Sequence, residues 1–408
     1  MSSTSYAHPY RPLPVRVANA LGRPLERLRR RPMTVAGLTR AARRRTWAGA
    51  DFGDEAYIEP LSVLVDSIEA EARLTPVGRL IIRERLIGAL VTRARVEARI
   101  ASNPAILHEP LEAPIVILGL QRTGTTALHR LMAADDRHRA LLSWEALNPV
   151  PTSEGDESAR IKKAVRAQRA LHWLSPDFAA VHPTDALAPE EEVVLLDLGF
   201  ASQVAEASLH VPTYARWLEE HDPIAGYRYL RRCLQVLSHR QRAQRWILKT
   251  PNHLEHVDTL LRVFPDARLV WTHRAPSECV PSFASMVAHL RGLFSDQVDP
   301  HEVGRHWLRK CARMVQRAGG VRAGLGAQTA VVDVDYRTLV ADPVAALHGL
   351  YGELGLRWTS ECESQIRSCA GRSRQHRFGR HAYDAADFGL DERTILGHFG
   401  DYCERYGV

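Results

Sequence analysis

No apolar run in the 408-residue chain approaches the ~20 residues that a membrane-crossing helix needs. The stretch from Met1 to Pro14 has no apolar core of the kind a secretory leader carries. Cysteine is scarce: Cys233, Cys279, Cys311, Cys362, Cys369 and Cys403 are scattered without CxxC spacing. That spacing argues against a zinc site or a disulfide framework and fits a reducing cytoplasm. Zinc-finger spacing and RNP-like aromatic strands are also missing, so nucleic acid is not an expected partner. No internal repeat is evident. What the chain does have is positive charge, +7 with a pI near 9.2, much of it from arginine. Such an excess suits an anionic ligand or an anionic surface, or reflects an arginine-rich composition. A hydrophobic content of 45% and a charged content of 25% are ordinary for a globular protein. The length allows one large α/β domain or two modest ones.

One stretch organises the rest. Pro114 precedes Ile115, Val116, Ile117 and Leu118, a short, β-branched run that reads as a buried parallel strand. A loop from Gly119 to Gly124 follows. Ala127, Leu128, Leu131 and Met132 then repeat at helical spacing. Strand, glycine loop and helix together aim free backbone N–H groups at an anion. The glycines have the spacing of a P-loop, but Thr125 stands where that motif requires lysine, and the cation comes earlier, as Arg122. The loop reads as a relative of the P-loop with a changed task.

Arg122-Thr123-Gly124-Thr125-Thr126 after an apolar strand resembles the 5′-phosphosulfate loop of sulfotransferases that use 3′-phosphoadenosine 5′-phosphosulfate (PAPS). Later stretches follow that family in order. Leu248-Lys249-Thr250 resembles the Lys-Thr of cytosolic sulfotransferases, whose lysine contacts the sulfonate. The histidine base of that branch is replaced by Pro251, and His253 lies two residues further on. A strand ends in Arg274, and Ser282 follows eight residues later, the spacing with which the family holds the cofactor's 3′-phosphate. Chemically, guanidinium supplies a bidentate grip and serine a neutral donor. Ser285 is a near competitor, one turn on. Tyr336 to Pro343 resembles a structural stretch of the family, with Arg337-Thr338 where the family is acidic, and Gly355 closes the helix after it.

For the base the resemblance implies a carboxylate just past the loop helix. Glu145 occupies that region after a two-residue shift, with His253 as the alternative. Glu190, Glu191 and Glu192 are a weaker one, since acidic residues in a helix's first turn are explained by its dipole. The basic run Arg372, Arg374, His376, Arg377 and Arg380 stands where the cytosolic branch clasps its cofactor.

The remaining segments are read as follows. Residues 1–110 form a helical extension, with helices over 60–72 and 76–100 that bury Leu80, Ile81, Leu86, Leu90 and Val91. The clusters Arg29-Arg30-Arg31 and Arg43-Arg44-Arg45 could make peripheral contact with an anionic membrane. Residues 141–149 are a strand or turn, 152–170 a surface helix or connection, and 214–237 one long amphipathic stretch. Helices over 287–316 carry His289, Arg291, Trp307 and Lys310 around the acceptor's mouth.

Together these imply an α/β fold, P-loop-like and three-layered, with a central parallel sheet flanked by helices over residues 111–408. The expected enzyme is a cytoplasmic sulfotransferase that moves a sulfuryl group from PAPS to a hydroxyl of a lipid or other small hydrophobic acceptor, with no metal. The expected site is Arg122, Thr123, Gly124, Thr125, Thr126, Arg274 and Ser282 for the cofactor, and Lys249, Glu145 and His253 for catalysis. A P-loop kinase or NTPase is the rival reading, but it needs the missing lysine and a magnesium-binding acid, for which only Asp333 or Asp335 is available. A non-catalytic nucleotide-binding protein at a membrane surface is the other.

Overall fold

The computed structural model describes residues 6, 9–29, 32–47, 49–151, 156–176, 185–239, 245–326, 331–372 and 383–408. Five parallel strands form one sheet: β1 (Ile115–Gly119), β2 (His138–Ala140), β3 (Arg245–Lys249), β4 (Arg268–His273) and β5 (Val331–Asp335), in the spatial order β2-β3-β1-β4-β5. Parallel neighbours require crossover connections, and these place helices on both faces. The side-chain alternation of β1 shows the layers. Ile115 and Ile117 pack with Leu128, Leu131, Leu350 and Ile366 on one face. Val116 and Leu118 pack with Leu230, Leu234, Phe283 and Trp307 on the other. Both sets are buried, which is why the strand reads as an uninterrupted apolar run. The fold is α/β, as the sequence implied.

The connection from β1 leads to one side of the sheet and that from β4 to the other. The carboxyl ends of these neighbours therefore flank an open crevice, the place where doubly wound sheets bind ligands.

Ahead of the sheet lie helices Leu13–Arg29, Val35–Arg45, Ile58–Glu71 and Pro76–Ser102. Thr75 caps the last by accepting from the Gly78 amide, and Pro76 fits its first turn, where no amide donor is needed. Their core is shared with later residues: Leu38, Leu61, Leu64, Leu86 and Leu90 pack with Phe200, Tyr214 and Leu218. Arg93 is buried within it, donating to the carbonyls of Phe52 and Leu198 and lying 3.9 Å from the ring centre of Tyr229.

Several expectations are corrected. Leu80 is 57% exposed, because the helix turns Ile82 and Ile87 inward, beside the expected Leu86 and Leu90. The stretch 214–237 is two helices, Pro212–Glu220 and Ile224–Ser238, divided at Asp222-Pro223, where the Asp222 carboxylate accepts from the Ile224 amide as the second begins. Residues 141–149 hold a short helix, Ser143–Leu147, after β2. Arg291, Trp307 and Lys310 are buried, so they face the core and do not line a mouth.

Candidate active site

The loop after β1 is shaped by backbone that only certain residues tolerate. Gly119 has φ +150°, and a Cβ there would stand 2.2 Å from the Thr272 hydroxyl. Gly124 has φ +87°, and a Cβ would meet the Tyr336 ring at 2.8 Å. Arg122 adopts the left-handed region at φ +72°, which costs roughly 1–2 kcal/mol for a residue with a side chain. Its carbonyl is held by the Arg274 guanidinium at 2.9 Å. Thr123 is fully buried and braces the loop from within, with its hydroxyl 2.6 Å from the Leu120 carbonyl and 2.7 Å from the Thr272 hydroxyl. Any role of Thr123 toward a ligand therefore falls to its backbone. Helix Thr125–Met132 starts at Gly124 with no side chain capping it, so its first amides remain donors for an anion.

Arg274 follows β4 and closes the other side of the crevice. It lies 4.1 Å from the centre of the Tyr336 ring and pairs with Glu278, its Nε at 2.9 Å. The Arg122 Nε donates to the Ser282 hydroxyl at 3.1 Å. Burial pulls the Arg122 guanidinium below its ordinary range, with the neighbouring Arg274 charge adding to the effect. Two neighbouring cations, one of them desolvated, make a place where an anion is strongly favoured. Arg122, Gly124, Thr125, Thr126, Arg274 and Ser282 thus gather at the ends of β1 and β4. Tyr383 joins them through a hydrogen bond to the Glu278 carbonyl. Arg374, His376, Arg377 and Arg380 lie outside the described residues, while Arg372 ends helix Ser360–Arg372.

Lys249 ends β3, in register with Ile117 of β1, which brings its side chain to the loop helix. Its ammonium is 2.5 Å from the Glu191 carboxylate and 3.2 Å from the Thr126 hydroxyl. Glu192, next in sequence, turns the other way. One of its oxygens accepts from the Lys249 backbone amide at 2.8 Å, and the other sits 2.5 Å from the His253 Nε2. Nδ1 of His253 is 2.8 Å from the Tyr227 hydroxyl, and the imidazole is fully buried. The acidic run does not cap a helix: neither Glu191 nor Glu192 serves Val193–Leu196 in that way. One carboxylate faces the lysine, and the other fixes the end of its strand. His129 packs behind Lys249. Burial first, and the lysine's charge second, lower its pKa to about 3, so it stays neutral at ordinary pH.

Glu145 is placed differently. One oxygen accepts from Arg139 at 2.7 Å, and the other accepts from the Leu142 amide at 3.1 Å, closing the first turn of Ser143–Leu147. Arg139 in turn lies 4.6 Å from the Trp246 ring centre. The pair is buried, and both carboxylate oxygens already serve structure. Neither Glu145 nor His253 contacts the Lys249 ammonium among the described residues; Glu191 does. Its signal in the sequence was the acidic triplet, read there as a helix-dipole feature.

A profile of the sulfotransferase family matches residues 114–360, spanning β1 to the start of the helix Ser360–Arg372. The chain belongs to the sulfotransferase family. This sulfotransferase is 31% identical to sulfotransferase STF1 from Mycobacterium tuberculosis H37Rv, whose crystal structure superposes with a TM-score of 0.79 over 91% of this chain and 100% of that one. Sulfotransferase STF9 from Mycobacterium avium is 28% identical, with a TM-score of 0.80 over 91% and 96%. This chain is also 27% identical over 313 residues to the omega-hydroxy-beta-dihydromenaquinone-9 sulfotransferase Stf3 of Mycobacterium bovis, covering 72% of this chain and 75% of that protein. Among the described residues, no group of three His, Cys, Asp or Glu side chains is arranged to hold a metal, and no helix is long and apolar enough to cross a membrane.

Proposed function

We propose that this enzyme transfers a sulfuryl group from PAPS to the hydroxyl of a lipidic acceptor. The observation that carries the reading is the convergence of Lys249, Glu191 and Thr126 beside the uncapped helix of the phosphate loop. PAPS supplies an activated sulfonate whose S–O bond to the 5′-phosphate breaks as the acceptor oxygen bonds to sulfur. Every other requirement falls to the chain. The amides at 124–126 and Arg122 hold the 5′-phosphate side, where negative charge grows. Arg274 and Ser282 hold the 3′-phosphate. Lys249 has three N–H donors, of which two are placed, on Glu191 and Thr126; the third is available to the sulfonate. Glu191 takes the acceptor's proton, since it is the carboxylate that reaches the transfer point. Glu192, His253 and Tyr227 position Lys249 from behind.

The acceptor class is supported by the relative's printed substrate, a menaquinone derivative bearing a terminal hydroxyl. Single-turnover assays with saturating PAPS and a long-chain isoprenoid alcohol test the base. In Glu191→Gln the chemical step collapses while binding of 3′-phosphoadenosine 5′-phosphate persists. Full turnover in that variant, with loss in Glu145→Gln or His253→Ala instead, would return the role to one of those residues.

A further inference from the structure

The positive charge of the chain is not spread over it. Residues 1–50 contain eleven arginines and one carboxylate, Glu26, a net charge of +10 against +7 for the whole, so the remaining 358 residues are net negative. Three of those arginines are paired within the protein: Arg11 and Arg23 with Asp296, and Arg45 with Glu84. Arg40, Arg43 and Arg44 are exposed on the outer side of helix Val35–Arg45, and Trp47, 43% exposed, stands just past its end.

Helix Leu13–Arg29 adds an apolar component. Val15 and Asn19 are buried: the Asn19 side chain accepts from the Val77 amide, and Gly22 lies against Pro76. These positions define its docked side. Leu13, Val17 and Leu21 recur every four residues on the opposite side and are 68%, 48% and 68% exposed. Tyr10, 59% exposed, precedes the stripe, and Arg16 is exposed beside it. Leu80, also 57% exposed, lies one turn beyond Val77, on the helix that receives this one. A helix that is held by one side and shows leucine, valine and leucine on the other, and that packs on the same helix, Pro76–Ser102, as the arginine-rich Val35–Arg45, has the make-up of an element that lies in a lipid headgroup layer.

We infer that the face formed by Leu13, Val17 and Leu21 with the exposed arginines of Val35–Arg45 docks on an anionic bilayer surface. This rests on the lipidic-acceptor reading, because it places the enzyme where such an acceptor resides. Charge complementarity selects the occupant: an anionic lipid surface meets both the arginines and the apolar stripe. An apolar protein partner would answer only the stripe, and a soluble polyanion only the arginines.

The face is linked to the donor site. Arg11, two residues before the helix, donates to the carbonyls of Gly292 and Ser295, and the Tyr6 hydroxyl is 2.8 Å from that of Ser285, one turn from Ser282.

The test is flotation of the full chain with vesicles of phosphatidylglycerol and, separately, of phosphatidylcholine. Binding of 3′-phosphoadenosine 5′-phosphate is measured on the same samples. The wild-type protein floats with the anionic vesicles and not with the neutral ones. The triple variant Leu13→Glu, Val17→Glu, Leu21→Glu stays in solution. Each arginine near an anionic surface contributes roughly five-fold to partitioning, so Arg40→Gln, Arg43→Gln, Arg44→Gln lowers binding by about 100-fold. All six side chains are exposed, so both variants keep the wild-type melting temperature and nucleotide affinity. The inference is overturned if wild type ignores anionic vesicles, binds neutral ones equally, or is matched by either variant. It is also overturned if the apolar variant instead splits a dimer seen by sedimentation. Loss of nucleotide binding by wild type would count against the donor-site reading and leave the vesicle result to stand alone.

Discussion

Replacing Arg274 by alanine separates the two phosphates of the donor. Its guanidinium sits at the end of β4, packed on Tyr336 and paired with Glu278, four residues further on in the first turn of helix Pro276–Gly292. A charged hydrogen-bonded contact to phosphate is worth about 1.5–3 kcal/mol. Against it stands the existing ion pair, which a phosphate would displace. Glu278 is largely exposed, and an ion pair of this kind is worth only about 0.3–0.5 kcal/mol. The net loss in Arg274→Ala is therefore about 1–2.7 kcal/mol, or about 5–100-fold in the dissociation constant of 3′-phosphoadenosine 5′-phosphate. Adenosine 5′-phosphosulfate, which has no 3′-phosphate, weakens less than two-fold. Removing the competitor has the opposite sign, so Glu278→Gln tightens the bisphosphate by about two-fold. Isothermal titration calorimetry of both ligands against the three proteins reads all of this. Equal weakening of the two ligands in Arg274→Ala would refute the assignment. It would mean that Arg274 acts by holding the Arg122 carbonyl and hence the loop.

Three further outcomes are expected. Lys249→Ala lowers kcat by 100-fold or more while the KM for PAPS changes only a few-fold, because the charge it meets grows in the transition state; pre-steady-state kinetics with a normal chemical step would contradict this. Lys310 is fully buried among Glu255 at 2.8 Å, Glu219 at 3.3 Å and Glu206 at 3.5 Å, so Lys310→Ala destabilises by about 3–5 kcal/mol by removing the cation these three carboxylates share, although Arg313, Arg309 and His306 still contact them, and an unchanged denaturant midpoint would disprove that account. Burial raises the pKa values of Glu219 and Glu302, but their cationic partners more than offset it and bring each from 4.5 to about 2. Depressed carboxylates stabilise the fold fully above pH 4.5 and lose that contribution as pH falls toward 2, so the melting temperature drops across that window; a flat profile there would count against these pairs.

What could be read from the sequence is what is local along it. The apolar run of β1 with the glycines at 119 and 124, the strand end at Lys249 and the Arg274–Ser282 spacing each lie within a single strand–turn–helix unit. Short-range pattern therefore locates them. Glu191 was hidden because it meets Lys249 across 58 residues, and because three consecutive glutamates look alike until the backbone sends their side chains apart. Glu145 suggested itself by position, yet Arg139 six residues earlier claims it, a pairing that depends on where β2 ends. Lys310 was placed at the acceptor's mouth, since pattern alone does not show that three carboxylates from separate helices surround it. The exposed stripe on Leu13–Arg29 was unreadable for a similar reason: periodicity marks an apolar face, but only packing shows which side the protein has left uncovered.

Tyr6 and Ser285 are hydrogen-bonded across 279 positions. At a synthesis rate of about 5–20 residues per second, the serine is made roughly 15–60 s after the tyrosine. Gly292, Ser295 and Asp296, which anchor Arg11, come later still. Throughout that interval the basic, apolar-striped segment has the nearer helix Pro76–Ser102 to dock on, through Asn19 and Gly22, but is not yet tied to the helix that carries Ser282. Its outer stripe is therefore built before the donor site is complete, so translation itself becomes a stage at which the enzyme can be localised.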